Sequence, residues 1–403
     1  MVKKLLFLLL CISVSNSVIS QNHIWRVEIS LNDRLILPFF IEEEKKKNEE
    51  TLYSIKNGDE KIPLDIKILT NDTIQLSFKE MSSHLSIIYT DSNHFLGYWT
   101  NERKGLQYPI SGAKGNYKRF ESAANTGPEE ILNSYEITFG STKDNWPAVG
   151  LFKQNGDALT GTFLTETGDY RYLEGNVYGD QLYLSCFDGA HAFVFTAKIF
   201  GDSLSGKFYS GASYQTDWKG IGNEAASIGD PNKLTYLTGA SYDLSKIKFK
   251  ALFLGNKKIK FKKKPLTVIQ IMGSWCPNCL DETNYFKILH QKYEDKGLQI
   301  IALGFESQKT TRKRKKHLKR FKEKANIPYP LYVAGYASKK EASQVFSMLN
   351  GISSFPTTLF VNQRGEIIHI HTGFYGPGTG IYYERYKKET EGLIEKAIGK
   401  GTR

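Results

Sequence analysis

From His23 onward, apolar and polar residues alternate one for one, as in Trp25-Arg26-Val27-Glu28-Ile29-Ser30-Leu31 and again across residues 62–69. A period of two sends one set of side chains to a core and the other to water, so this region predicts strand after strand up to about Phe120. Turns are expected at Asn57-Gly58-Asp59, Asn71-Asp72 and Asp91-Ser92-Asn93, and the unperiodic charged run Glu42 to Glu50 reads as a solvated hairpin tip. Between Tyr135 and Trp218 the runs become shorter, evenly spaced and punctuated by glycine: residues 159–163, 172–177, 181–187, 192–197 and 204–209. That spacing predicts an antiparallel meander closing into a barrel or sandwich, whose aromatic residues fill the core or line a ligand cavity.

The pattern then changes. Gly222 to Asn232 is rich in Gly, Ala, Ser, Asp and Pro and marks a boundary, followed by a hairpin turning at Gly255-Asn256. The unbroken apolar run Leu266-Thr267-Val268-Ile269-Gln270-Ile271-Met272 is a buried strand. After it, Leu280, Phe286, Leu289 and Tyr293 fall at helical spacing up to Lys296-Gly297. A strand at 298–305, a basic helix at 309–324, a strand at 329–333, a helix at 339–349, strands after Pro356 and at 366–371, and a helix at 382–398 complete the order βαβαβαββα. The fold class expected is multidomain, an all-β N-terminal half followed by an α/β domain. Its parts are a leader at 1–20, a β-rich region at 21–134, the meander at 135–225, a linker at 226–240 and the α/β domain at 241–403.

A length of 403 residues, 40% hydrophobic and 24% charged, suits two or three soluble domains. Lys3 and Lys4, the apolar run Leu5 to Ile12 and the small polar stretch to Ser20 read as a secretory signal peptide, with Gln21 as the new start. Cys11 falls in that leader, and Leu8-Leu9-Leu10 lacks the small residue a lipid-attachment site would have. The protein is therefore expected in the periplasm or cell envelope. The net charge of +12 is concentrated in Lys309 to Lys324, where ten Lys or Arg face only Glu323. Such a helix is a solvated face or docks on an anionic membrane surface; without interleaved aromatics, and in an exported chain, nucleic acid is not expected.

The chemistry lies in Gly273-Ser274-Trp275-Cys276-Pro277-Asn278-Cys279, at a strand-to-helix turn. Unpaired N–H groups and the positive end of the helix dipole stabilise a thiolate there. Cys276, at the mouth of the turn, is the expected nucleophile; Cys279, one turn in, is the resolving thiol; Pro277 fits the first helical turn. A structural zinc site would need a second paired motif, which the chain lacks, so neither metal nor cofactor is expected beyond the redox-active Cys276–Cys279 disulfide. Cys186, Asp188 and His191 cluster near a hairpin turn, where a buried cysteine beside a turn histidine is the commoner outcome. Ser354-Phe355-Pro356-Thr357 places a proline at a strand entry.

Trp275-Cys276-Pro277-Asn278-Cys279 after one strand and Pro356 opening another resemble the thioredoxin superfamily. With Glu282 and Phe355-Pro356-Thr357, the part from about Tyr242 to Lys400 resembles the exported TlpA-like thiol:disulfide reductases. Ala302-Leu303-Gly304-Phe305-Glu306 and His371-Thr372-Gly373-Phe374 are similar to a subgroup with large strand-rich N-terminal regions. The resemblance implies a thioredoxin-like fold, a cis Phe355–Pro356 peptide against the dithiol, and substrate contacts at Trp275, Pro277, Phe355 and Pro356. It also implies proton transfer by Glu282, exported protein disulfides as substrates, and a membrane-bound electron donor. It transfers no activity to the first half. Two other functions are open to the chain: a ligand- or protein-binding β-domain with an accessory redox domain, and a peroxiredoxin-like peroxidase.

Overall fold

The computed structural model describes residues 21–46, 50–122, 126–239, 242–244, 249–251, 256–257 and 264–400. The expected leader with Cys11, and Gly255 of the expected turn, lie outside them. Eight antiparallel strands form a closed barrel: β1 (Gln21–Asn32), β2 (Leu35–Lys45), β3 (Thr51–Asn57), β4 (Glu60–Ile68), β5 (Thr73–Phe78), β6 (Ser83–Tyr89), β7 (His94–Asn101) and β8 (Leu106–Lys114). The alternation read from the sequence is the inside and outside of this barrel: Trp25, Val27, Ile29 and Leu31 are all buried. Closure leaves no free sheet edge. The charged run begins inside the barrel wall: Glu42 and Glu43 belong to β2 and are buried, and Glu43 Oε2 accepts from Trp25 Nε1 at 2.8 Å.

A second sheet holds β9 (Ser134–Phe139), β10 (Trp146–Asn155), β11 (Ala158–Thr165), β12 (Gly168–Asp169), β13 (Leu173–Tyr178), β14 (Gln181–Phe187), β15 (Ala192–Phe200), β16 (Ser203–Ser210) and β17 (Tyr214–Gly222). Pairing of β10 with β11 closes the meander into a ring, with the short β12 appended to β11. Its interior is filled by rings: Phe163 and Phe195 at 4.7 Å, Phe195 and Phe208 at 4.4 Å, Phe163 and Trp218 at 5.3 Å. The two barrels share a core, since Phe187 at the end of β14 packs on Phe39, Trp99 and Phe78 of the first.

The third sheet runs in the order β19-β18-β22-β21-β20-β23-β24, with β18 (Phe249–Ala251), β19 (Asn256–Lys257), β20 (Leu266–Met272), β21 (Leu298–Glu306), β22 (Leu331–Tyr336), β23 (Thr357–Asn362) and β24 (Ile367–Thr372). Strands β20, β21 and β22 are parallel and β23 returns antiparallel, the thioredoxin arrangement. Strand β20 is buried at all seven positions, as its unbroken apolar run demands. Helices α1 (Pro277–Tyr293), α2 (Thr311–Lys324) and α4 (Ile381–Lys400) contribute Phe286, Leu318 and Ile394 to one core; α3 (Lys339–Val345) contributes Ala342 to another. No helix among the described residues is long and apolar enough to cross a membrane. The expected linker is not a loose tether: Leu237 bridges Leu349, and Thr372 Oγ1 donates to Thr235 Oγ1 at 2.8 Å.

Candidate active site

Strand β20 delivers the chain to the turn, and Cys276 caps α1, its Sγ accepting from the Cys279 N–H at 3.2 Å. Pro277 occupies the first helical turn, where an N–H would have had no partner. The two sulfurs are joined as a disulfide with Cα atoms 5.2 Å apart. Cys276 retains 8% exposure and Cys279 none, so Cys276 is the more exposed of the two residues.

Pro356 lies after a cis peptide, and the Phe355 carbonyl oxygen stands 3.5 Å from Cys276 Sγ. Trp275 is fixed by its Nε1 donating to the Phe305 carbonyl at 2.8 Å, and its ring meets that of Phe355 edge-on at 5.6 Å. Thus Trp275-Cys276-Pro277 and Phe355-Pro356, with Cys276 and Phe355 79 positions apart in sequence, meet at one end of β20 and β23.

Glu282 is wholly buried one turn beyond Cys279, on the inner face of α1. Its Oε1 accepts from Thr358 Oγ1 and Tyr386 OH, both at 2.9 Å, and its Oε2 from Gln270 Nε2 at 2.9 Å. Gln270 Nε2 also reaches the Cys279 carbonyl at 3.2 Å, so the carboxyl shares a hydrogen-bonded group with Cys279. All three donors are neutral. They offset only part of the loss of water, and burial pushes Glu282 up to about 7. A carboxyl with that affinity is able to hold or release a proton near neutrality.

A second buried carboxyl, Glu306 at the end of β21, has no role in the motif reading. It accepts from Ser274 N at 2.9 Å and Ser274 Oγ at 2.6 Å, and burial raises it also to about 7. It fastens the turn two residues before Cys276. The sequence signal was slight: an acid ending a strand within a stretch noted only for resemblance. Arg171 was missed as well. It follows Tyr170 with φ of 68°, and its guanidinium meets Asp281 of α1, Glu60 at 2.6 Å and Asp188 at 3.5 Å. Cys186 lies away from the dithiol, buried in the second barrel, where burial lifts its thiol far above the ordinary range. Asp188 accepts from the His191 N–H at 2.6 Å and lies 3.0 Å from its ring nitrogen, a turn-closing pair.

Residues 256–379 match the Redoxin family. The chain is similar to the thiol-disulfide oxidoreductase ResA of Halalkalibacterium halodurans, 26% identical over 137 residues, covering 34% of this chain and 62% of that relative. It is also similar to ResA of Bacillus thuringiensis, 22% identical over 203 residues, covering 50% of this chain and 93% of that protein. The chain thus spans less than two thirds of the first relative and more of the second. Among solved structures, the thioredoxin domain of a thiol-disulfide oxidoreductase from Bacteroides vulgatus is 17% identical with a TM-score of 0.27, covering 37% of this chain and 98% of that one.

Proposed function

With residues 256–379 forming a Redoxin domain on a thioredoxin-like fold, we propose that the chain is an exported thiol-disulfide oxidoreductase that reduces disulfides in proteins of the cell envelope. The observation that carries this is the Cys276–Cys279 pair at the N-terminus of α1, with the Phe355 carbonyl beside Cys276 and the buried Glu282 behind Cys279.

In the reduced enzyme, the Cys276 thiolate attacks one sulfur of a substrate disulfide. The old S–S bond breaks, a substrate thiolate leaves, and a mixed disulfide forms on Cys276. Cys279 gives up its proton and attacks Cys276 Sγ, releasing the second substrate thiolate and leaving the Cys276–Cys279 disulfide. Two electrons pass to the substrate. Glu282, linked to the Cys279 carbonyl through Gln270, accepts the Cys279 proton, and Trp275, Pro277, Phe355 and Pro356 form the surface against which the substrate lies. A membrane-bound dithiol donor returns the enzyme to its reduced form, since an oxidising compartment would otherwise leave it spent.

Trapping tests this directly. Cys279→Ser should accumulate covalent adducts on Cys276 that reductant releases, visible by non-reducing electrophoresis and mass spectrometry. Equal trapping by Cys276→Ser would reverse the two roles, and an absence of adducts in either variant would remove the activity.

A further inference from the structure

The exchange mechanism uses none of the contacts that the β-rich half makes around the dithiol. From the second barrel, the turn joining β11 to β12 lies against the redox domain. Ser354 Oγ donates to the Thr167 carbonyl at 3.2 Å, Asn278 Nδ2 to the Asp169 carbonyl at 3.4 Å, and the Gly376 N–H to Asp169 Oδ2 at 2.6 Å. Ser354 directly precedes Phe355, and Asn278 lies between the cysteines. Two glycines let these backbones touch. A Cβ on Gly373 (φ +81°) would stand 2.6 Å from the Thr167 carbonyl, and one on Gly168 (φ +145°) would stand 2.8 Å from Asn278 Nδ2. From the first barrel, the Arg103 guanidinium lies 5.6 Å from the centre of the Trp275 ring.

Arg171 ties these pieces together, pairing at once with Glu60 of the first barrel, Asp188 of the second and Asp281 of α1. A side chain in the left-handed region is held there only where its surroundings over-determine it, and this arginine has three carboxylates around it. Cys276 keeps only 8% exposure amid these contacts, and the clefts that adjoin the turn are lined by its neighbours rather than by the sulfur itself. One cleft of about 340 Å³ is bordered by Trp146, Thr167, Tyr170 and Asn278. Another, of about 210 Å³, is bordered by Met81, Arg171, Pro277 and Leu280. Both are of small-molecule size or below, against roughly 300–1,000 Å³ for ligand pockets.

We propose that the two barrels are the substrate-selecting part of the active site: they admit to Cys276 a disulfide of low bulk and hold off one embedded in a folded protein surface. The selecting elements are the Thr167–Asp169 turn and Arg103, and Arg171 is the positioning residue that keeps them in place. This rests on the reductase activity proposed above. It makes the β-rich half neither a separate binding module nor a spacer.

The test uses the full chain and compares two substrates, the small aromatic disulfide 5,5′-dithiobis(2-nitrobenzoate) and insulin. Their rate ratio is followed in wild type, in Arg171→Met and in Gly168→Leu, which acts at the turn alone should the arginine variant fold poorly. The insulin rate relative to the small disulfide should rise tenfold or more in either folded variant. In parallel, reduced wild-type Cys276 should react with iodoacetamide but at least tenfold more slowly with a maleimide carrying a long polyethylene glycol chain, a difference that Gly168→Leu narrows. Insulin reduced by wild type at the small disulfide's rate, or a ratio and labelling pattern unmoved by both variants, would overturn the selection while leaving the reductase intact. Failure of wild type to reduce either disulfide would instead remove the reductase activity, and the selection with it.

Discussion

Glu282 carries the sharpest consequence at the scale of single residues. Its affinity for a proton is raised from 4.5 to about 7 by burial. Below pH 4.5 the folded and unfolded chains both hold the proton, so burial costs nothing extra. Between about 4.5 and 7 the unfolded chain releases the proton while the folded chain keeps it, and stability falls as pH rises; above 7 the whole cost is present. At ~1.4 kcal/mol per pKa unit this amounts to about 3 kcal/mol. Chemical denaturation of Glu282→Gln across this range should therefore show a flatter pH dependence than wild type, though Glu306, also raised to about 7, keeps part of the slope. The same variant should resolve mixed disulfides roughly 10²-fold more slowly and lose the pH step near 7. An unchanged step, followed by stopped-flow release of product thiol, would take proton transfer away from Glu282. Ser274 is tied to the other acid: Ser274→Ala removes the 2.6 Å hydroxyl contact to Glu306 and should cost ~1–3 kcal/mol in urea unfolding, because the buried carboxyl loses a donor that water cannot replace.

Among the elements, α2 shows how composition and placement diverge. Its nine Lys and Arg residues suggest a charged face turned to solvent or to anionic lipid; beneath that face Leu318 and Phe321 are buried in the domain core, and Lys324 lies 3.8 Å from Asp65 of the first barrel. What holds this helix is the two-residue apolar stripe and the Thr310 cap, whose hydroxyl accepts from the Lys313 N–H. Phe321→Ala should destabilise the chain by ~3–5 kcal/mol, whereas Lys313→Ala with Lys316→Ala, both exposed, should change stability by less than ~0.5 kcal/mol each. Thermal unfolding monitored by circular dichroism separates the two. Similar losses in both would mean that charge, not packing, seats the helix. Helix α1 is the opposite case, since its cap is Cys276, the sulfur proposed to react, and local structure and proposed chemistry coincide there.

At the scale of the whole molecule, the described residues form three sheets joined by buried contacts rather than beads on a string. Phe187 leaves the second barrel to sit 4.5 Å from Phe39 and 5.0 Å from Trp99 of the first. Arg119, itself buried, donates to Ser185 Oγ at 2.9 Å and Asn57 Oδ1 at 2.8 Å across the same junction. Phe187→Ala should cost ~3–5 kcal/mol and expose the junction to limited proteolysis; resistance equal to wild type would show that the barrels do not depend on this ring.

What the sequence by itself determined is what short-range pattern controls. Period-two alternation specified the strands up to about Phe120, evenly spaced glycine-punctuated runs those from Tyr135 to Trp218, the apolar run at 266–272 a central strand, and two cysteines at a strand-to-helix turn the dithiol. Tertiary structure alone decided that Glu282 faces inward onto Thr358 and Tyr386, that Glu306 fastens Ser274, and that Arg171 joins Glu60, Asp188 and Asp281. The reason is physical. Side chains 60, 171, 188 and 281 leave no periodic trace on one another, and the energy of a buried charge depends on which distant carboxylates and how little water surround it once the sheets have packed.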